Sequence, residues 1–543
     1  MQENITHQQV LAGPGLTYKT GGDYEPGEYQ TLTNIDITEE GLRNRPPAQW
    51  SNQSHTPEPF SNFLIGSVID PTFSTRRIIA SSYGLSGGTY KTLITRIDDP
   101  ADVTPNNVPD QWNNSGAEWF LPQVCFEYNN VYYLMGQQFA TGLVAPPNIS
   151  NIRQKSSPTQ IDSATVPTTT GVTSLPGSGR LVAAAILKDR VFLARNNTII
   201  WSKATDPTNF TVPDGGFFKI PDTKINHIIA LRDVLYIFAS TGIWQFSYSG
   251  DPGVTGVLKQ IIDNLHFTHG QVIEGTPVGV DINGDVYAIQ NGFAQLIVSL
   301  NRISSNSPFL PNNRIEPFRD GFIVNRSYRD RFDLSTVPFT YMYYYNLKTQ
   351  SLSYYQFKDG SGTTANVIDI LSVYSNKKRI LVMVFHNYTN TRFEIAYLDP
   401  TDDGTVAWGL DTLPGGATEG MFFIARIINI VPDGFKDKWK RFRHVVMEGL
   451  MGDTPTNGGT TVNWGFARQL TNAHTANIAS ESTGADYPYV YRVGIMQKAK
   501  ILNLEFKSAT HVAAKANDFR LSALKVIWDY TSKVIGKSKG SAE

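Results

Sequence analysis

The stretch that decides the fold reads Ile228-Ile229-Ala230-Leu231, Arg232-Asp233, Val234-Leu235-Tyr236-Ile237-Phe238, then Thr241-Gly242 and Ile243-Trp244-Gln245-Phe246. Each apolar run is too short for a helix and stops at a polar two-residue turn, which is the pattern of antiparallel strands joined by hairpins. The unit recurs on both sides. Upstream stand Val124 to Tyr128, the turn Asn129-Asn130 and Val131 to Leu134, and again Leu181 to Leu187, Lys188-Asp189-Arg190 and Val191 to Arg195. Downstream stand Val278 to Ile282, Asn283-Gly284-Asp285 and Val286 to Ile289. Third strands follow at Ile199 to Ser202, Ile243 to Phe246 and Ala294 to Val298. The aromatic of each unit (Tyr132, Phe192, Tyr236, Tyr287) returns at intervals of roughly 40 to 60 residues, a repeat spacing.

Further hairpins read at Phe339 to Phe357 and Ile380 to Tyr397, and an earlier set at Phe63 to Ile97. Together they predict an all-β chain, a β-propeller of about six or seven blade-like units, because a lone blade cannot bury its own faces and must stack on neighbours. Two sandwiches or a β-helix are the competing architectures, and the Asn-Gly and Thr-Gly hairpins argue against a parallel β-helix. Longer strands after the Gly/Pro/Asp-rich break at Pro400 to Gly420 predict a C-terminal β-sandwich-like region. The expected division is an N-terminal arm and first strands at 1–59, blades at 60–400, a C-terminal β domain or ring-closing region at 401–531, and a flexible tail at 532–543. Pro-rich stretches at Asp98 to Gly116 and Ala145 to Gly179 read as long surface loops.

Composition agrees with many short strands: 41% hydrophobic, 12% aromatic and 17% charged residues, with 45 glycines and 30 prolines in 543 residues. Lys plus Arg (47) balances Asp plus Glu (48), so no long-range field selects nucleic acid, a membrane surface or an acidic substrate. The single cysteine, Cys125, excludes an intrachain disulfide and fits assembly in a reducing cytoplasm. The first residues lack a basic region and an apolar stretch, so no secretory signal and no membrane insertion are expected.

The search for reactive chemistry predicts no catalytic, cofactor-binding or metal site and hence no enzyme. His266 and His269 would share a helical face, but in extended chain they diverge. The run from Asp281 through Asn283, Gly284 and Asp285 resembles the start of a calcium loop, yet its glycine is misplaced and Gly292 stands where glutamate is needed, so it reads as a hairpin turn. Pro176 to Arg180 is glycine-rich but lacks the Lys-Ser/Thr ending of a phosphate loop, and reads as a flexible loop. The adjacent carboxylates Glu39-Glu40 and Asp402-Asp403 read as solvated, although glycosidase carboxylates from distant blades could still converge. The Ser-x-Asp-x-Gly-x-Thr-Trp turn of propeller sialidases has no copy. The basic run Lys436, Lys438, Lys440, Arg441 and Arg443, interleaved with Phe435, Trp439 and Phe442, reads as an edge strand guarded by lysines or as a face for an anionic partner.

The opening Gln30-Thr31-Leu32-Thr33-Asn34, Gly41-Leu42-Arg43-Asn44-Arg45-Pro46-Pro47 resembles the start typical of tail tubular protein B, the nozzle of short-tailed phages. Ile199-Ile200-Trp201-Ser202 before Asp206-Pro207 and Phe210, and Thr241-Gly242-Ile243-Trp244, are similar to blade signatures of that group. The resemblance covers roughly residues 30 to 250. It implies a structural virion protein located in the tail and made in the host cytoplasm. It further implies a homo-hexameric ring that extends the portal-adaptor channel, retains the genome and conducts double-stranded DNA. Its partners would be further copies of itself, the adaptor or head-to-tail connector, and tail fibre or needle proteins. The alternative is a propeller adhesin that recognises host glycans through exposed Trp and Tyr, and a glycan-degrading propeller is the third reading.

Overall fold

Every residue of the strand Arg190–Arg195 is buried, so both of its faces are covered. Side chains alternate across a strand, and here the two sets enter different cores. Val191 and Leu193 join Val124, Phe126 and Ile200, whereas Phe192 and Ala194 join Ile228, Leu235 and Phe246. The same division recurs in Thr340–Asn346, where Tyr343 and Tyr345 face one cluster and Met342 and Tyr344 the next. Apolar runs without polar alternation are therefore the signature of sheets stacked face to face.

The computed structural model describes residues 5–9, 11, 15–16, 28–50, 60–70, 75–86, 89–97, 110–112, 118–129, 131–140, 150–155, 175–176, 179–300, 312–327, 340–358, 364–375, 378–387, 392–398, 410–412, 418–427, 430, 439–451, 460–466, 474–478, 487–508 and 519–530. Among them, successive antiparallel sheets begin with Phe60–Asp70, Glu118–Tyr128, Leu181–Leu187, Ile225–Leu231, Phe267–Ile273, Asn312–Phe318 and Thr364–Ser375. Each of these first strands packs against the first strand of the next sheet, and Thr364–Ser375 packs against Phe60–Asp70. The ring closes on itself. The chain is an all-β propeller of seven blades, with the first strand of each blade nearest the axis.

The hairpin turns are what the sequence demands. Lys188, Asn196, Arg232 and Asn291 adopt left-handed φ values of 57°, 49°, 54° and 51°, the conformation that matches a tight turn to the strand twist.

Ring closure uses both ends of the propeller segment. The last blade contains Thr364–Ser375, Lys378–Asn387 and Arg392–Leu398, and its next strand is Ala48–Trp50 from the N-terminal region. Ala48 lies opposite Leu398, Gln49 opposite Tyr397 and Trp50 opposite Ala396. Leu410–Thr412 then adds in parallel on the other side.

A β-sandwich adjoins the ring. One sheet runs Tyr487–Ala499, Lys440–Met451, Phe519–Tyr530, Gly41–Asn44 and Ile35–Thr38. The other continues from Ser351–Tyr355 of the sixth blade through Thr31–Thr33, Ile424–Ile427, Asn503–Ser508, Thr460–Gly465 and His474–Ile478. Leu32, Ile35, Leu42, Phe442, Val445, Leu504, Phe506, Phe519 and Trp528 meet in a single core between them. The sandwich thus draws on residues 31–44 as well as on the C-terminal region.

Because Gln49 has strands on both sides, its backbone N–H is engaged or enclosed, and proline there removes the donor from a sheet interior. Gln49→Pro is expected to lower stability by about 3 kcal/mol or more, read as a shift in the urea midpoint. An unchanged midpoint would show that this strand does not close the ring.

Candidate functional site

The junction between ring and sandwich is a buried polar knot. Asn34 sits between Thr31–Thr33 of one sandwich sheet and Ile35–Thr38 of the other, with a left-handed φ of 56°. Asparagine tolerates that conformation better than most residues, and its amide is fully used. Asn34 Nδ2 donates to the carbonyls of Gln356 (2.9 Å) and Phe422 (2.7 Å), and Oδ1 accepts from Arg45 Nε (2.9 Å) and Gln356 N (2.8 Å). Arg45 is completely buried and grips both oxygens of Asp411 at 3.0 and 2.7 Å. Its guanidinium lies 4.3 Å from the Phe357 ring centroid. Asp411 Oδ1 also accepts from Ala48 N at 2.8 Å, at the start of the closing strand.

Two further contacts extend the knot. Asp36 accepts from Tyr355 Oη at 2.8 Å and pairs with Arg319 of the sixth blade at 2.6 Å. Burial pushes the Asp36 carboxyl up, and Arg319 and Tyr355 pull it back. Asn44 Oδ1 accepts from Phe519 N at 2.6 Å. Gly41, at φ +119°, has no room for a side chain, because a Cβ would stand 2.1 Å from the Leu521 carbonyl oxygen.

Nearer the axis, polar side chains stitch blade to blade. Gln123 Oε1 accepts from Leu181 N at 2.7 Å, Asn226 Nδ2 donates to Phe267 O at 2.6 Å, and Asn325 Nδ2 donates to Val367 O at 3.1 Å. Asn313 Nδ2 donates to Asp281 O at 2.6 Å. Glu316 spans three blades, since its Oε2 accepts from Gln271 Nε2 and from Ser372 N, both at 3.2 Å. Beside it Arg314 pairs with Asp369. Burial raises the Glu316 carboxyl to about 7, with Arg314 opposing the shift. Glu316 is only 2% exposed, so its carboxyl bridges blades instead of facing a substrate.

The residues singled out in the sequence scatter through the fold. His269 is buried, with its ring centroid 3.9 Å from that of His227 in the preceding blade, and its Nδ1 accepts from Ile315 N at 3.4 Å. His266 lies outside that stack, just before the strand Phe267–Ile273. Asp281 Oδ1 accepts from the backbone of Asn283 (2.9 Å) and Asp285 (2.8 Å), which makes the segment a self-satisfied turn. Among the described residues, no group of three or more His, Cys, Asp or Glu side chains is placed to hold a metal ion. Cys125 is partly buried.

Arg195, fully buried, donates from Nε to Gly179 O (2.6 Å) and from Nη1 to Leu175 O (3.2 Å), and residues 177–178 of the glycine-rich Pro176 to Arg180 segment lie outside the described residues. Glu39 and Glu40 are exposed in a turn, and Asp402 and Asp403 lie outside the described residues.

The reading of the basic run as an edge strand is corrected. Lys440–Met451 is a central strand, paired with Tyr487–Ala499 and Phe519–Tyr530, because Phe442, Val445 and Met447 bury into the sandwich core. Lys440 is buried with Nζ on the Lys500 carbonyl at 2.8 Å, and Arg443 pairs with Asp529. Arg441 and Trp439 are exposed, while Phe435, Lys436 and Lys438 lie outside the described residues.

No protein-family model and no curated protein sequence matches the chain. Solved structures do. Trypanosoma rangeli sialidase is similar over 97% of this chain and 96% of its own, with 10% identity and a TM-score of 0.32. Exo-β-1,3-galactanase from Phanerochaete chrysosporium is similar over 90% of this chain and 100% of its own, with 9% identity and a TM-score of 0.29. Both are enzymes, and this corrects the expectation that the chain is not one. Identity this low extends to neither substrate nor catalytic residues.

Sequence reasoning missed Asn34, Arg45, Asp411, Arg314, Glu316 and Asp369 as interacting groups. Local spacing carries no signal for these pairings, since Arg45 and Asp411 are 366 residues apart and Arg314 and Asp369 are 55 apart.

Two outcomes test this description. Arg45→Met leaves the Asp411 carboxylate without its guanidinium and should lower stability by about 3–5 kcal/mol, with part of the loss recovered in Arg45→Met/Asp411→Leu. Urea unfolding of both variants decides it, and a double variant no better than the single would contradict the assignment. For Glu316, the folded protein keeps a proton that the unfolded chain releases from its ordinary value of 4.5 upward until about 7. Stability from this group is therefore present at low pH and lost as pH rises through that window. Glu316→Gln should match the parent at about pH 3.5 and exceed it at about pH 8, by up to about 3 kcal/mol. Parallel pH profiles for the two proteins would refute the assignment.

Proposed function

We propose that the chain is a structural subunit of the tail nozzle of a short-tailed bacteriophage. The observation that carries this reading is the place of the nozzle-like opening in the fold. Asn34 crosses between the sandwich sheets, Gly41 allows the backbone to touch Leu521, Asn44 holds Phe519 N, and Arg45 grips Asp411 beside the closing strand. The residues that carry the resemblance are thus the fasteners of ring to sandwich. A part that holds back a packaged genome needs a rigid connection of this kind, since load on either unit passes through the knot.

In this reading the protein assembles as a homo-hexameric ring in the virion tail, after synthesis in the host cytoplasm. The ring extends the portal-adaptor channel, retains the genome until a host is engaged, and then conducts double-stranded DNA. One face meets the adaptor and the other meets fibre or needle proteins. The near-zero net charge, −1, suits a DNA conduit, because a strongly basic lumen would bind the phosphates and slow their passage.

The purified full chain, alone and mixed with portal-adaptor complex, is the material for the test. Light scattering coupled to size exclusion and electron microscopy are expected to find a six-fold ring with an axial opening that docks on the adaptor. A chain that stays monomeric in both settings and does not bind the complex would sink the proposal.

A further inference from the structure

We infer that the cleft between the fifth and sixth blades is a binding site for a neutral saccharide, independent of the nozzle reading. The cleft encloses about 380 Å³, at the lower end of the roughly 300–1,000 Å³ of small-molecule sites. Its floor is apolar: Val278 and Ala288 of the fifth blade face Phe322 and Tyr345 of the sixth, whose rings stack with centroids 5.2 Å apart. Its rim carries the exposed amides of Gln290, Gln295 and Gln350.

The wall is shaped by a local irregularity. In a regular strand successive side chains point to opposite faces, yet Gln295, Leu296 and Ile297 all line this cleft. A register shift between Val286 and Tyr287 makes this possible, pairing them with Val298 and Leu296 so that Ile297 is the extra residue. Bulges of this type re-aim side chains next to binding sites.

The chemistry selects the ligand class. Each glutamine offers two donors and an acceptor carbonyl, which complements neighbouring hydroxyls that both donate and accept. The exposed Leu296 side chain, with half-buried Ile297 beside it, offers an apolar wall that complements the C–H face of a pyranose ring. The one formal charge among the lining residues, Glu274, is 66% exposed and lies 3.9 Å from Arg379 of the seventh blade, so the cleft has no net charge with which to recruit an ion. An uncharged polyol with one apolar face fits these conditions, at the size of a mono- or disaccharide.

Saturation-transfer NMR on the full chain with maltose, lactose, cellobiose and N-acetylglucosamine tests the inference. At least one of these is expected to receive saturation, with Kd on the order of 1 mM. The double variant Gln290→Ala/Gln295→Ala alters two exposed side chains, so it should keep the parent melting curve and weaken binding at least about tenfold, two lost hydrogen bonds at about 1 kcal/mol each. Absence of transfer to all four sugars overturns the proposal, and so does transfer that the folded double variant retains in full.

Discussion

A propeller blade has two apolar faces and can cover neither by itself, so the ring is stable only when it is closed. In this chain closure falls on the three residues Ala48–Trp50, which lay an N-terminal strand onto the last blade. That strand is held in turn by Asp411, whose carboxylate receives Ala48 N and the guanidinium of Arg45 together. The closing strand is therefore tied to the ring–sandwich junction through one arginine–aspartate pair. Among the described residues, further apolar contacts lie in inter-blade clusters, from Val124 and Val191 in one to Phe318 and Met383 in another.

The same arrangement explains why polar residues sit inside the propeller. Inner strands crowd toward the axis, and a hydrogen bond from an amide side chain to the next blade's backbone fixes the angle between blades more sharply than apolar packing does. Gln123, Asn226, Asn313 and Asn325 each do this at a different gap. Glu316 does it for three blades at once, and burial raises its carboxyl to about 7. Each such bond contributes only about 1 kcal/mol net, but leaving a buried partner unsatisfied costs more, so wrong blade angles are penalised.

The sandwich and the ring are coupled by shared chain. The sheet that leaves the sixth blade at Ser351–Tyr355 continues into the sandwich through Thr31–Thr33, and Asp36 of the sandwich reaches Arg319 of the sixth blade. A displacement of either unit must therefore strain the sheet that both of them share. The cleft between the fifth and sixth blades lies next to that shared sheet, since Phe322 and Tyr345 belong to it.

The all-β class, the hairpin turns and the blade repeat were determined by the sequence itself, because they depend on neighbours a few residues apart. Val234 to Phe238 can only be a short buried strand, and Arg232-Asp233 before it can only turn. The polar knot was decided by tertiary structure alone. Arg45 and Asp411, like Asn34 and Phe422, are separated by hundreds of residues, and local spacing says nothing about such pairs. The central position of Lys440–Met451 belongs to the same class: its lysines and arginines read as a guarded edge until Asp529 and the Lys500 carbonyl arrive from other strands. Side-chain alternation is written in a chain, whereas the partner that buries a charge is chosen only when distant strands meet.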